Sequence, residues 1–260
     1  MLIAVTRPVS ASLAGCELTC IPREPIDVAR AGDQHAAYER ALAGLGATVV
    51  RAPAARDLPD AVFVEDTAVV LDEIAILARP GAESRRAECA GVAPLLAQYR
   101  EVRELRAPAT LDGGDVLAIG RTLFVGASSR TNDAGLDQLD RIVAPLGYHV
   151  VRVAFRGCLH LKSAVTALAE NLVLVNPAWV EASWFRGCDA LRVDENEPHA
   201  ANALRIGDGV LVAAAFPRTL ERMRSRGLAV VTTECNELAK AEGAVTCCSL
   251  VFEARASGAI

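Results

Sequence analysis

Apolar and polar positions alternate along this chain in a pattern that recurs every forty to fifty residues. Thr67–Ala78 reads TAVVLDEIAILA, two apolar runs around Asp72-Glu73. Asp115–Val125 (DVLAIGRTLFV) turns at Gly120-Arg121, Ser163–Val175 (SAVTALAENLVLV) at Glu170-Asn171, and Ala203–Val212 (ALRIGDGVLV) at a Gly-Asp-Gly run. Short β-rich runs around a polar or glycine turn predict hairpins. A fifth hairpin is split between the chain ends, SLVFE at 249–253 and LIAVT at 2–6.

The stretches between hairpins repeat as well. Helical periodicity marks Ala31–Leu45, Glu88–Tyr99, Thr131–Leu146 and Phe216–Arg226, and faintly Val180–Phe185. In the first, Ala36, Ala37, Leu42 and Leu45 form the expected buried stripe. Asn132 or Asp133 is placed to cap the third, and Pro217 suits the first turn of the fourth. A further strand follows each helix: Ala47–Arg51, Glu101–Arg106, Tyr148–Val153, Ala190–Val193 and Leu228–Thr232. Units of this size cannot each bury a face alone and must stack on their neighbours. Closing the stack into a ring removes exposed edges. The expected fold is α/β, a five-bladed α/β propeller with pseudo-five-fold symmetry. One catalytic domain of five ββαβ-like repeats is expected to span residues 1–260.

Each repeat carries a reactive residue at one phase, just before its hairpin: Asp66, Asp112, His160, Asn202 and Cys247. The separations are 46, 48, 42 and 45 residues. Equivalent positions in a ring face one axis, so these side chains are expected to converge. Singly, each has an ordinary structural reading: a buried cysteine as core, a turn aspartate as backbone cap. Their shared phase makes those readings jointly weak. Together they form a nucleophile set. A thiolate attacks, and it needs a neighbouring base or cation. His160 fits as general acid and base. Asp112 fits as the group that orients the imidazole. Glu65 and Asp66 would suit a cation, because a carboxylate accepts two parallel N–H bonds from a planar guanidinium.

Composition narrows the class. With a formal net charge of -5, the chain lacks the basic footprint of a nucleic-acid binder. No uninterrupted apolar stretch is long enough for a membrane helix, and Arg7-Pro8 directly after the apolar start does not resemble a signal peptide. The eight cysteines include no CxxC pair, so no zinc site is expected, and in a chain of this size without a secretion signal reduced thiols and a cytoplasmic location are expected.

The segments DLPDAVFVEDT (57–67), RPGAESRR (79–86), LDGGDVL (111–117), FVGASSRTN (124–132), LHLKS (159–163), AAN (200–202) and TCCS (246–249) carry a likeness. In these segments the chain resembles the dimethylarginine dimethylaminohydrolase family of the guanidine-modifying propellers. The likeness runs from near the start to near the end. It implies hydrolysis of an Nω-methylated arginine to citrulline and an amine, through a covalent S-alkylthiouronium and without a cofactor. It implies Cys247, rather than Cys248, as nucleophile, His160 as acid and base, and Asp112 as the orienting acid. Glu65 and Asp66 would grip the guanidinium and Asp60 the α-amino end. Arg85 and Arg130 would lie near the α-carboxylate. Leu13 would fall in a lid segment, and Ala241 would offer a backbone carbonyl.

Two other readings stay open: an arginine deiminase or amidinotransferase on the same scaffold, and a non-catalytic propeller acting as a binding module. The short stretch from Trp179 to Pro198 leaves unmethylated arginine or another guanidine as a possible substrate. Nothing in the sequence decides between a monomer and a homodimer.

Overall fold

The computed structural model describes residues 1–254. The last six residues of the span expected for the domain, 255–260, lie outside the described residues. The chain begins with β1 (Leu2–Thr6), α1 (Val28–Gly44) and β2 (Thr48–Arg51). A second unit holds β3 (Ala68–Val70), β4 (Ile74–Leu77), α2 (Ala93–Leu96) and β5 (Glu101–Glu104). A third holds β6 (Val116–Ile119), β7 (Thr122–Gly126), α3 (Asp133–Val143) and β8 (His149–Val153). The fourth opens with a one-turn α4 (Leu161–Ala164) before β9 (Val165–Ala169), β10 (Leu172–Val175) and β11 (Asp189–Arg192). The fifth holds β12 (Ala203–Ile206), β13 (Gly209–Ala213), α5 (Pro217–Ser225), β14 (Ala229–Thr233) and a one-turn α6 (Asn236–Ala239), and β15 (Leu250–Glu253) ends the described chain.

Among the described residues these strands form five sheets of three, ordered β15-β1-β2, β3-β4-β5, β6-β7-β8, β9-β10-β11 and β12-β13-β14. In every sheet the middle strand pairs antiparallel with its hairpin partner and parallel with the strand after the crossover. The split hairpin is real: Leu2 pairs with Glu253 and Val5 with Leu250, antiparallel.

Burial explains this order. The middle strands, such as β4 (IAIL) and β13 (GVLVA), are buried along their whole length. They read as continuous apolar runs because both faces are covered. The third strands are largely exposed and carry charge, as in EVRE of β5, which suits an outer edge. The first strands of neighbouring blades touch, β9 with β12, β6 with β9 and β15 with β3, so they line the axis.

The core is divided the same way. One cluster joins Ile3 and Phe252 to Ala75 and Leu77, and the next joins Ile76 to Leu123. A third joins Phe124 to Val173, a fourth Leu174 to Val212, and a fifth Leu211 to Ala4 and Leu42. Each cluster therefore sits between consecutive blades, and the fifth returns to the first. That is a closed five-bladed ring.

The helices depart from expectation. Over 88–99 only Ala93–Leu96 is α-helical, and a 3₁₀ stretch, Glu83–Gly91, precedes it. Gly91 and Pro94 interrupt the α pattern there. Between β10 and β11 only a 3₁₀ turn forms, Ala182–Trp184, because the connection is too short for a helix and its packing. The buried stripe of α1 is Ala31, Gln34, His35, Tyr38, Glu39 and Leu42, while Ala36, Ala37 and Leu45 are only half-buried. Two of its polar members are hydrogen-bonded: Thr6 Oγ1 donates to Glu39 Oε1 at 2.7 Å, and Gln34 Oε1 accepts from the Glu237 N–H at 3.1 Å. Asn132 caps α3 by accepting from the Gly135 N–H at 2.8 Å, and Pro217 opens α5. All eight cysteines are free thiols. No helix among the described residues is long and apolar enough to cross a membrane.

Candidate active site

The loop feeding each axial strand carries one of the in-phase residues. Asp66 lies in the 3₁₀ turn Val64–Thr67, and Asp112 precedes the turn Gly113–Asp115. His160 precedes α4, Asn202 follows the turn Pro198–Ala201, and Cys247 lies in the turn before β15.

His160 Nε2 is 3.0 Å from Asp112 Oδ2, and His160 Nδ1 is 3.9 Å from Asp66 Oδ1. Asp112 is fully buried and its second oxygen accepts from the Gly81 N–H at 2.9 Å. The glycines of LDGGDVL make this approach feasible. A Cβ on Gly114 would lie 2.7 Å from both Asp66 Oδ1 and His160 Nδ1, and one on Gly113 would lie 2.0 Å from the Glu65 carbonyl. Asp115, the other aspartate of that motif, accepts from Ser128 Oγ and Thr131 Oγ1, each at 2.6 Å, and from the Leu161 N–H at 3.0 Å. It thereby anchors the residue after His160.

Asp66 Oδ2 pairs with Arg85 Nη1 at 2.7 Å, and Oδ1 accepts from the Gly114 N–H at 2.9 Å. Burial would raise its carboxyl, but His160 and Arg85 dominate and hold it down at about 2. Burial likewise works against the His160 imidazolium, but Asp66, Asp112 and Asp115 outweigh it and raise the group to about 9. The Cys247 thiol is pushed up, first by burial and then by Glu65 and Asp66, with Lys162 opposing them. The stable pair is therefore thiol and imidazolium.

A small cavity brings together Asp60, Asp66, Arg85, Arg130, His160, Ala241 and Cys247. Asp60 Oδ2 accepts from the Glu17 N–H at 3.0 Å. Arg130 donates from Nη2 to Thr19 Oγ1 at 2.9 Å, and its buried Nη1 has no partner among the described residues. Next to this cavity a wider depression of about 890 Å³ shares Leu159, Glu242 and Gly243 as wall and is otherwise largely apolar. The titratable groups converge on the small cavity, which is therefore the chemical site.

Three residues stand differently from expectation. Leu13 is fully buried in the core cluster that also holds Val62, Phe63 and Leu238, and it does not line the cavity. It is apolar, and a 3₁₀ turn tucks it inward. Glu65 does not line the cavity either; its oxygens face Lys162 Nζ at 2.6 Å and Thr246 Oγ1 at 2.8 Å. Arg85 reaches the cavity, but its guanidinium is committed to Asp66 and to Glu88, whose Oε2 lies 2.9 Å from Nη2. It anchors Asp66 instead of offering a free fork to a carboxylate.

Sequence reasoning missed Glu17, Glu88, Lys162, Thr246 and Glu242. Lys162 carried a signal, because it is one of two lysines among 27 basic residues and lies inside LHLKS. Asp66, Asp112 and His160 also place donor atoms within 4.8 Å of one another, the density a metal would need. Their oxygens are already engaged by Arg85, Gly114 and Gly81, so the cluster has the geometry of a hydrogen-bonded relay.

A family model described as N,N dimethylarginine dimethylhydrolase, eukaryotic, matches residues 23–194. A Streptomyces coelicolor protein named N(G),N(G)-dimethylarginine dimethylaminohydrolase is 43% identical over 249 residues, 95% of either chain. The Pseudomonas aeruginosa enzyme of that family, a cysteine-to-serine variant solved with citrulline, superposes with a TM-score of 0.92 at 32% identity, covering 96% of this chain and 98% of that one. A histidine-to-glycine variant of a dimethylarginine dimethylaminohydrolase, an adduct with S-methyl-L-thiocitrulline, gives the same TM-score and identity over 97% of this chain and 100% of its own.

Proposed function

The chain belongs to the dimethylarginine dimethylaminohydrolase family, and we propose that it hydrolyses Nω-methylated arginine to citrulline, releasing methylamine or dimethylamine. The observation that carries this reading is the convergence of Cys247, Asp66 and His160, itself held by Asp112, on one small cavity.

The charges order the steps. A guanidinium is a cation, and Asp66 presents the one carboxylate of the Glu65-Asp66 pair that faces the cavity. Bound there, the guanidinium offsets the acids that hold the Cys247 proton on, so the thiol ionises and its proton passes to solvent. The thiolate attacks the central carbon and forms a neutral tetrahedral adduct. His160, already an imidazolium, gives its proton to the substituted nitrogen, and the carbon–nitrogen bond breaks to release the amine. The S-alkylthiouronium that remains is attacked by water, whose proton His160 takes. Collapse expels the Cys247 thiolate, and loss of a proton from the product oxygen leaves citrulline. Asp112 holds the imidazole in place through both half-reactions. Arg130, with a buried N–H lacking a partner, suits the substrate α-carboxylate, and Asp60 suits the α-ammonium.

The test is a panel of arginine, monomethylarginine and asymmetric dimethylarginine, with citrulline and amine release measured together. Equimolar citrulline and methylated amine is the expected result. Citrulline with ammonia from plain arginine alone would make the chain a deiminase.

A further inference from the structure

Behind Cys247 the side chains close a ring. Lys162 Nζ lies 2.6 Å from Glu65 Oε1. Glu65 Oε2 accepts from Thr246 Oγ1 at 2.8 Å. Thr246 Oγ1 accepts from Asn202 Nδ2 at 2.9 Å, while the Thr246 N–H donates to Asn202 Oδ1 at 3.0 Å. Asn202 Nδ2 also reaches the Lys162 carbonyl at 3.0 Å, so the circuit starts and ends on one residue. A strut joins it to the nucleophile, since the Glu65 N–H donates to the Cys247 carbonyl at 3.1 Å. Glu65, Asn202 and Thr246 are buried, and the Lys162 side chain is 16% exposed. Four of the five axial loops therefore meet in one hydrogen-bonded circuit.

Lys162 is the part of this circuit that chemistry demands. A buried carboxylate left without a cation is strongly unfavourable, and Lys162 is the only ion-pair partner of Glu65 among the described residues. Beyond burial, the charges of Glu65 and Asp66 hold the proton on the Cys247 thiol, and Lys162 is the cation that opposes them. The residue type is informative too. This chain uses arginine at almost every basic position, yet here it uses lysine, whose compact ammonium acts as a point charge.

We infer that Lys162 is a positioning residue of the reaction, neutralising Glu65, locking the circuit that sets the Thr246–Cys247 turn, and supplying the positive field that the attacking sulfur needs. This rests on the hydrolase reading above and adds a residue that the proposed steps do not use.

Three variants test it: Lys162→Met, Lys162→Arg, and Lys162→Met combined with Glu65→Gln. Three quantities are measured: kcat and KM for asymmetric dimethylarginine, and the rate of iodoacetamide alkylation at Cys247, read by mass on its peptide between about pH 7 and about pH 10. Lys162→Met is expected to lower kcat by about tenfold or more with KM within about threefold. Alkylation of Cys247 at a given pH should slow by about tenfold, the equivalent of a one-unit upward move of the thiol. Lys162→Arg should recover most of the alkylation rate, because the charge is kept. The double variant leaves no buried ion unpaired, so it remains informative where the single variant fails to fold, and its alkylation rate should return toward that of the unaltered protein. Unchanged alkylation in Lys162→Met overturns the inference even if kcat falls, because Lys162 would then be only a structural tie. So does a double variant that alkylates as slowly as the single one. An unaltered chain that releases no citrulline sinks the hydrolase reading instead, and the alkylation series still decides the role of Lys162.

Discussion

His160 Nε2 lies 3.0 Å from Asp112 Oδ2 with both residues buried, and the other Asp112 oxygen is held by the Gly81 N–H. An asparagine at 112 offers one oxygen and one NH₂. Whichever way it turns, a donor faces a donor, either at Gly81 or at the imidazolium. Asp112→Asn is therefore expected to lower kcat by about a hundredfold or more, with KM within a few-fold. Steady-state kinetics check this, with a thermal melt to show that the fold is kept. A loss of less than about tenfold would remove Asp112 from its orienting role.

The raised imidazolium also predicts how stability depends on pH. In the unfolded chain the group returns to its ordinary value near 6.5, and in the fold it sits at about 9. A group whose folded value is raised contributes stability that is fully present below the unfolded value. That contribution is lost as pH rises through the folded one. The stability advantage of the unaltered protein over His160→Gln should thus be largest below about pH 6.5 and shrink towards about pH 9. Urea midpoints across that window measure it, and an advantage that grew with pH would contradict the assignment. Release of the amine should weaken over the same upper range, because the donor is then neutral.

The two adjacent cysteines should separate cleanly. Cys247 lines the cavity, whereas Cys248 is buried in the core beside Tyr38 and Val245 with its thiol 3.5 Å from the Ala244 carbonyl. Cys247→Ser is expected to abolish turnover with little change in melting temperature. Cys248→Ser should keep turnover and lose about 1–3 kcal/mol, because a hydroxyl is less at home in an apolar pocket. Measuring both properties on both variants decides the assignment. Turnover surviving in Cys247→Ser would sink it.

The ring was legible in the sequence because strands announce themselves locally. Short apolar runs and turn residues placed each hairpin within a residue or two, and repeat spacing then placed Asp66, Asp112, His160, Asn202 and Cys247 on one axis. The helices were harder where polar residues are buried for electrostatic reasons. Arg85 and Glu88 sit inside the Glu83–Gly91 turn as a buried ion pair, and Gln34, His35 and Glu39 occupy the inner face of α1. Such positions look like solvent-facing ones until their partners are known. Glu65 and Asp66 show the same limit at the site. Adjacent residues diverge in direction, so one carboxylate meets Lys162 and its neighbour meets Arg85 and His160. No one-dimensional pattern separates them.

Glu242 provides the last prediction. It is the only residue other than glycine with a positive φ among the described residues, at 58°, and it lies between Ala241 and Gly243 on the cavity wall. Its carboxylate accepts from three successive backbone N–H groups across the chain, Thr19 at 2.7 Å, Cys20 at 2.5 Å and Ile21 at 3.1 Å. Arg130 holds the same segment through Thr19 Oγ1. The segment is thus anchored to two residues that line the site, one of them the expected partner of the substrate carboxylate. A left-handed conformation is unfavourable for a side chain with a Cβ and persists where the surroundings enforce it, and here three charge-assisted bonds do so. Glu242→Ala removes all three bonds while leaving the thiol, the imidazole and the acids untouched. KM should rise by about tenfold while kcat changes by less than about threefold, because the loss falls on substrate binding and not on bond cleavage. Glu242→Gln keeps one acceptor oxygen and should fall between the two. Hydrogen exchange at 19–21 should accelerate in the same order, and a kcat defect without a KM defect would place Glu242 in the chemical step instead.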